Sequence, residues 1–101
     1  MKTLNYLSPI HAGEILREEF MEPLNLKAYT LSKRIGVTRN TVEGLIRENV
    51  GISADTALRL ARFFGTTPSF WLNIQKHYEL EMAKDRMGDD LENIKPMEMA
   101  L

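Results

Sequence analysis

The chain has no cysteine. That excludes disulfides, cysteine-bound metals and cysteine nucleophiles. No apolar run approaches the roughly 18 residues of a membrane span. The N-terminus lacks a basic segment followed by an apolar stretch, so no signal peptide is indicated. The expected location is cytoplasmic, with no membrane contact. No segment alternates apolar and polar residues as a half-buried strand would. The nucleophile elbow, the phosphate-cradling glycine loop and the zinc-protease pattern are also missing. The carboxylates show no pairing that suggests acid–base work, so an enzyme is not expected. His11 and Glu14 are spaced as two metal ligands on a helical turn could be, but no third ligand accompanies them. A structural role for His11 is the better expectation, and no metal or cofactor is assigned.

What remains is a chain of 101 residues, the length of one domain with a single modest core. Its helices can be placed by apolar spacing, caps and breakers. A first helix is expected over 12–21, with Glu14 in its first turn and Ile15, Leu16 and Phe20 facing the core. Pro23 ends it, and Leu24 and Leu26 pin the following loop. A second helix covers 28–35. Thr38 caps a third, and Asn49 is a left-handed stop after it. Ser53 caps a fourth, in which Ala57, Leu60, Ala61 and Phe64 form one buried stripe, with Gly65 past its end. Thr67 and Pro68 start a fifth, which runs to about Arg86. Gly88, Asp89 and Asp90 break it. Residues 1–10 read as extended. The expected fold is all-α: a five-helix, repressor-like DNA-binding domain over 1–87, followed by an acidic tail over 88–101. That tail is unfolded alone or folds on a partner.

Residues 28–47 carry the functional signal. Leu31 and Ile35 are one turn apart, as are Val42 and Leu45. Gly36 lies between the pairs, where a sharp turn needs a left-handed residue that glycine takes cheaply. Small Ser32 sits where two helices would cross closely. This is the pattern of a helix-turn-helix whose second helix enters the major groove. Gly44, in mid-helix, is expected to let that helix approach DNA or the second helix.

The net charge of −1 hides a strong division. Residues 27–62 carry seven basic and three acidic side chains, a balance of +4. Residues 1–26 balance at −2 and residues 63–101 at −3. The basic block coincides with the helix-turn-helix, as phosphate contact requires.

On the third helix, Val42, Leu45 and Ile46 turn inward. Thr38, Arg39, Asn40, Thr41, Glu43 and Arg47 are left for DNA. Arginine can grip guanine through two hydrogen bonds and asparagine can do so with adenine, while glutamate accepts from cytosine. Lys33, Arg34 and, before them, Lys27 are candidate phosphate contacts, which set affinity rather than sequence preference. Phe63, Phe64, Phe70, Trp71, Ile74, Tyr78 and Met82 form an aromatic-rich series. Several belong to the core, but the fifth helix is longer and more apolar than so small a domain can cover. The surplus suggests an interface. A homodimer would place two recognition helices about 34 Å apart on a palindrome.

Three runs resemble one known family. They are Pro9-Ile10-His11-Ala12-Gly13-Glu14-Ile15-Leu16, Gly51-Ile52-Ser53-Ala54-Asp55-Thr56-Ala57, and Phe63-Phe64-Gly65-Thr66-Thr67-Pro68-Ser69-Phe70-Trp71-Leu72-Asn73. Together they are similar to HigA-type antitoxins over about residues 8–83. The resemblance implies the Cro/phage-repressor-like (XRE) helix-turn-helix class. It further implies double-stranded operator DNA and a HigB-type toxin protein, a ribosome-dependent mRNA endonuclease, as partners, with repression of the shared operon. The acidic ends of the chain would then suit a basic toxin. Two departures stand out. Ala12 replaces a common proline, and Arg47-Glu48-Asn49 replaces Arg-Gly-Lys after the recognition helix. A stand-alone transcriptional regulator without a toxin shares the same DNA chemistry. A helix-turn-helix scaffold that binds only protein is the third alternative.

Overall fold

The computed structural model describes residues 9–98. Among them there are helices and no strand. The expectation for residues 1–10 lies mostly outside this range, as do Met99 and the end of the tail.

The first helix differs from expectation in its coil. Helix α1 (Ala12–Ile15) passes directly into a π-helical segment (Leu16–Met21). The wider turn bonds each carbonyl five residues on, and the Glu22 N–H donates to the Arg17 carbonyl at 3.0 Å. Leu16 and Met21, five residues apart, are both buried. An α-helical period would place only one of them well, so core burial decides the coil. Leu24 does not pin the next loop, because it stands exposed, whereas Leu26 packs on the core.

Helices α2 (Ala28–Ile35) and α3 (Arg39–Ile46) form the helix-turn-helix. Helix α4 (Ala54–Phe64) is capped by the Ser53 hydroxyl and stopped by left-handed Gly65. Helix α5 (Pro68–Met87) begins at a Thr67 cap followed by proline and spans 20 residues. A sixth element, α6 (Asp89–Glu92), follows Gly88, so the acidic tail begins with a short helix.

The core joins the inward stripes of all the long elements. Ala12, Leu16, Leu31, Ala57, Leu60 and Trp71 are fully buried. The Trp71 ring lies 5.0 Å from Phe20, and its indole N–H donates to the Thr66 hydroxyl at 2.8 Å. Phe64 lies 4.8 Å from Phe20 on the same cluster. Phe70 and Met82, read with the same series, remain exposed. The second half of α5 leaves the core, and the molecule extends over 54 Å.

Two close approaches set α1 against α3. A Cβ on Gly13 would come 1.8 Å from the Leu45 carbonyl oxygen, so only glycine permits this contact. His11 caps α1: its Nδ1 accepts the Gly13 N–H at 2.8 Å. Its ring is buried edge-on to Tyr78 at 4.9 Å. Gln75, also buried, accepts the Ala12 N–H. His11 therefore has the structural role expected for it. Among the described residues no group of three or more His, Asp or Glu could hold a metal ion. No described helix is long and apolar enough to cross a membrane.

Candidate nucleic-acid interface

The turn between α2 and α3 is built around Gly36, whose φ is +76°. Its N–H and that of Val37 both return to the Ser32 carbonyl, closing α2. Ser32 is buried at the crossing, with its hydroxyl bonded to the Tyr29 carbonyl. One residue outside the motif supports this turn. Arg59 of α4 donates from Nη1 to the Ile35 carbonyl at 2.8 Å and to the Gly36 carbonyl at 3.4 Å. Its Nε is held by Asp55 at 2.6 Å. A Cβ on Gly36 would stand 2.9 Å from that guanidinium, a second reason for glycine here.

Thr38 begins α3 as expected. Its hydroxyl accepts the Thr41 N–H at 3.1 Å and pairs with the Thr41 hydroxyl at 2.9 Å. Val42 and Leu45 are buried, and Ile46 packs partly against the core. Arg39, Asn40 and Arg47 stand outward and exposed. Asn40 has no side-chain partner among the described residues, so both its amide functions are free to bond a base edge. Glu43 differs from a free acceptor. It lies between Arg39 and Arg47, with 3.2 Å to each, and is 23% exposed against their 64% and 70%. The three form a ladder along one face with a single positive excess. Glu43 thus fixes two guanidinium groups in place, and its own contact with a base would require releasing one of them.

Past α3 the chain makes a left-handed turn at Glu48, with φ +62°, and not at Asn49. The Glu48 N–H bonds the Leu45 carbonyl and the Asn49 N–H bonds the Gly44 carbonyl, the full pattern of a glycine-type helix stop. Glutamate bears a steric cost of about 1–2 kcal/mol in that region. Arg17 offsets part of it by reaching Glu48 at 3.4 Å and donating to the Ile46 carbonyl. Gly44 serves neither DNA nor α2: a Cβ there would meet Val50 at 3.3 Å, where the chain folds back.

The candidate phosphate contacts separate. Lys33 lies over the Tyr29 ring at 5.4 Å, on the exposed side of α2. Arg34 lies over the Phe63 ring at 5.3 Å, toward α4. Lys27 precedes α2 and is exposed. Arg17 and Arg59, which brace the motif from 29 and 24 residues away, went unread in the sequence. Only the Asp55–Arg59 spacing was a local signal, and it named no distant partner.

A helix-turn-helix family model matches residues 18–71. Antitoxin HigA-1 of Vibrio cholerae is 39% identical over 93 residues, 92% of this chain and 88% of that protein. A Haemophilus influenzae protein described as an HTH-type transcriptional regulator is 43% identical over 91 residues, 87% of this chain and 84% of its own. The solved structure of Pseudomonas aeruginosa antitoxin HigA with the higBA promoter superposes with a TM-score of 0.85 at 41% identity, covering 89% of this chain and 99% of that one. The chain belongs to the HigA-type antitoxins of the Cro/phage-repressor-like (XRE) helix-turn-helix family.

Proposed function

We propose that this protein is the antitoxin of a two-component toxin–antitoxin module, in which it binds operator DNA as a homodimer and represses its own operon. It neutralises a HigB-type mRNA endonuclease toxin, works in the cytoplasm and performs no catalysis itself. The observation that carries the reading is the outer face of α3. Arg39, Asn40 and Arg47 project from it together, over an apolar inner face that locks the helix to the domain. Arginine and asparagine there match the guanine and adenine edges of the major groove. Thr38, Thr41 and Glu43 complete the set at the helix start and between the arginines. Lys33, and on the flank Arg34, supply sequence-independent attraction to phosphate.

The test uses DNA from upstream of the gene. Binding should weaken steeply as salt rises, because each phosphate contact releases counterions. Absence of salt-dependent binding to that DNA would refute the DNA-binding reading. Co-expression with the neighbouring small gene tests the toxin half: growth arrest by that gene alone, relieved by this one, is the expected result.

The Haemophilus relative, described as a transcriptional regulator, favours a second reading: regulation without a toxin. A genomic neighbour that is neither toxic nor bound by the protein would select it.

A further inference from the structure

Two surfaces outside the recognition helix remain without a role, and they are complementary. The first is a cleft of about 640 Å³ between α2 and α4, lined by Arg34, Ile35, Leu58, Arg59, Arg62 and Phe63. Leu58 is 59% exposed at its edge. Arg34 is held flat on the Phe63 ring, which pre-orients its fork of donors toward a carboxylate. Arg59 is spoken for by Asp55 and the α2 carbonyls, but Arg34 and Arg62 have no carboxylate partner among the described residues. No residue of α3 lines this cleft.

The second surface is the far end of the chain. Residues 89–94 read Asp-Asp-Leu-Glu-Asn-Ile, and every one of them is exposed. Leu91 is 41% exposed and Ile94 65%. This acidic, apolar end is carried on α5. The first turns of α5 pack on α4 through Trp71, and the helix then rises about 30 Å. It leaves its own cleft behind.

We infer that the cleft receives residues 89–94 of a second copy of this chain, and that two copies exchange these ends reciprocally. Asp89 and Asp90 meet Arg34 and Arg62, and Leu91 enters beside Leu58 and Phe63. The chemistry selects this occupant. A nuclease that grips RNA presents a cationic face, which suits the acidic end but is repelled by the cleft. DNA would fill the cleft and leave the acidic end bare. A second copy satisfies both surfaces at once. Reciprocal exchange closes under a two-fold axis and so forms a dimer, not a filament. The proposal rests on the dimeric reading above and names its interface.

Charge exchange tests it on the full chain, by sedimentation equilibrium. One variant carries Arg34→Glu and Arg62→Glu, the other Asp89→Lys and Asp90→Lys. Each alone should dimerise at least tenfold more weakly than wild type, since its own two surfaces now repel. Mixed in equal amounts, they should dimerise with each other, because each end again meets a cleft of opposite sign. Circular dichroism establishes that both are folded, and a misfolded variant is replaced by the milder Arg62→Gln or Asp90→Asn, expected to weaken the dimer several-fold. Wild-type dimerisation in both variants overturns the exchange, as does failure of the mixture to associate, or a wild-type chain that is monomeric. Variants that dimerise normally but lose the toxin would reassign the acidic end to the toxin and likewise overturn it. Operator binding by the wild type is read separately. Its loss would count against the proposed function, whereas unchanged dimerisation counts against the exchange alone.

Discussion

Gly13→Ala isolates the contact on which the position of the recognition helix depends. The added Cβ would stand 1.8 Å from the Leu45 carbonyl oxygen and 2.8 Å from its carbon. Ordinary contact begins near 3.4 Å, so α1 and α3 would have to part by about 1.5 Å. Both obstacles are backbone, and neither can rotate away. Forced overpacking of this kind costs about 1–3 kcal/mol. The same Cβ crowds the His11 ring at 3.1 Å, which threatens an N-cap contributing about 1 kcal/mol. Alanine returns about 0.5–1 kcal/mol through helix propensity. The net expectation is a loss of about 2–3 kcal/mol. In a domain of this size that lowers Tm by roughly 8–20 °C. Gly44→Ala is the control. Its Cβ meets only the Val50 side chain at 3.3 Å, which can yield, so stability should stay within about 1 kcal/mol of wild type. Urea unfolding followed by circular dichroism measures both. A Gly13→Ala protein as stable as wild type would refute the claim that the Leu45 carbonyl forbids a side chain.

Other outcomes follow from the same contacts. Burial holds the His11 pKa below its usual value, against the upward pull of Glu48, the Val50 backbone and Glu79. The group is therefore neutral in the fold, and its contribution is present above pH 6.5 and lost as pH falls below it. Urea midpoints should decline between pH 7 and pH 5, and His11→Asn, which retains a cap, should decline less over that interval. Arg59→Ala unties the α2 carbonyls from α4. It should cost about 1 kcal/mol, allowing for partial exposure, as read by the shift in denaturation midpoint. Trp71→Ala removes the largest fully buried side chain and should cost about 3–5 kcal/mol in the same assay, enough to unfold much of the population.

The sequence was legible where one residue determines local geometry. Gly36 and Gly65 stop their helices, and Thr38, Ser53 and Thr67 cap theirs, because these acts involve neighbours within three or four positions. It was opaque where distant groups compete. The π-helical coil over Leu16–Met21 answers to core burial that no local propensity records. The left-handed turn fell to Glu48 although Asn49 is the better intrinsic candidate, because the hydrogen bonds to Leu45 and Gly44 fix the register. At the candidate site, sequence named the outward residues of α3. It could not show that Glu43 is engaged by both arginines, nor that Arg34 turns away onto Phe63.

The most direct test of the account is fluorescence anisotropy with two DNA duplexes, one from upstream of the gene and one scrambled, using wild type, Arg39→Ala and Arg47→Ala. A bidentate contact to a base discriminates by about 1–3 kcal/mol, and an outward arginine that reads a base should lose that much on the upstream duplex alone. The account predicts weaker upstream binding for both variants, with little change on scrambled DNA for at least one of them. Unchanged affinity of both variants for the upstream duplex would contradict it, because the reading surface would then lie elsewhere than on α3.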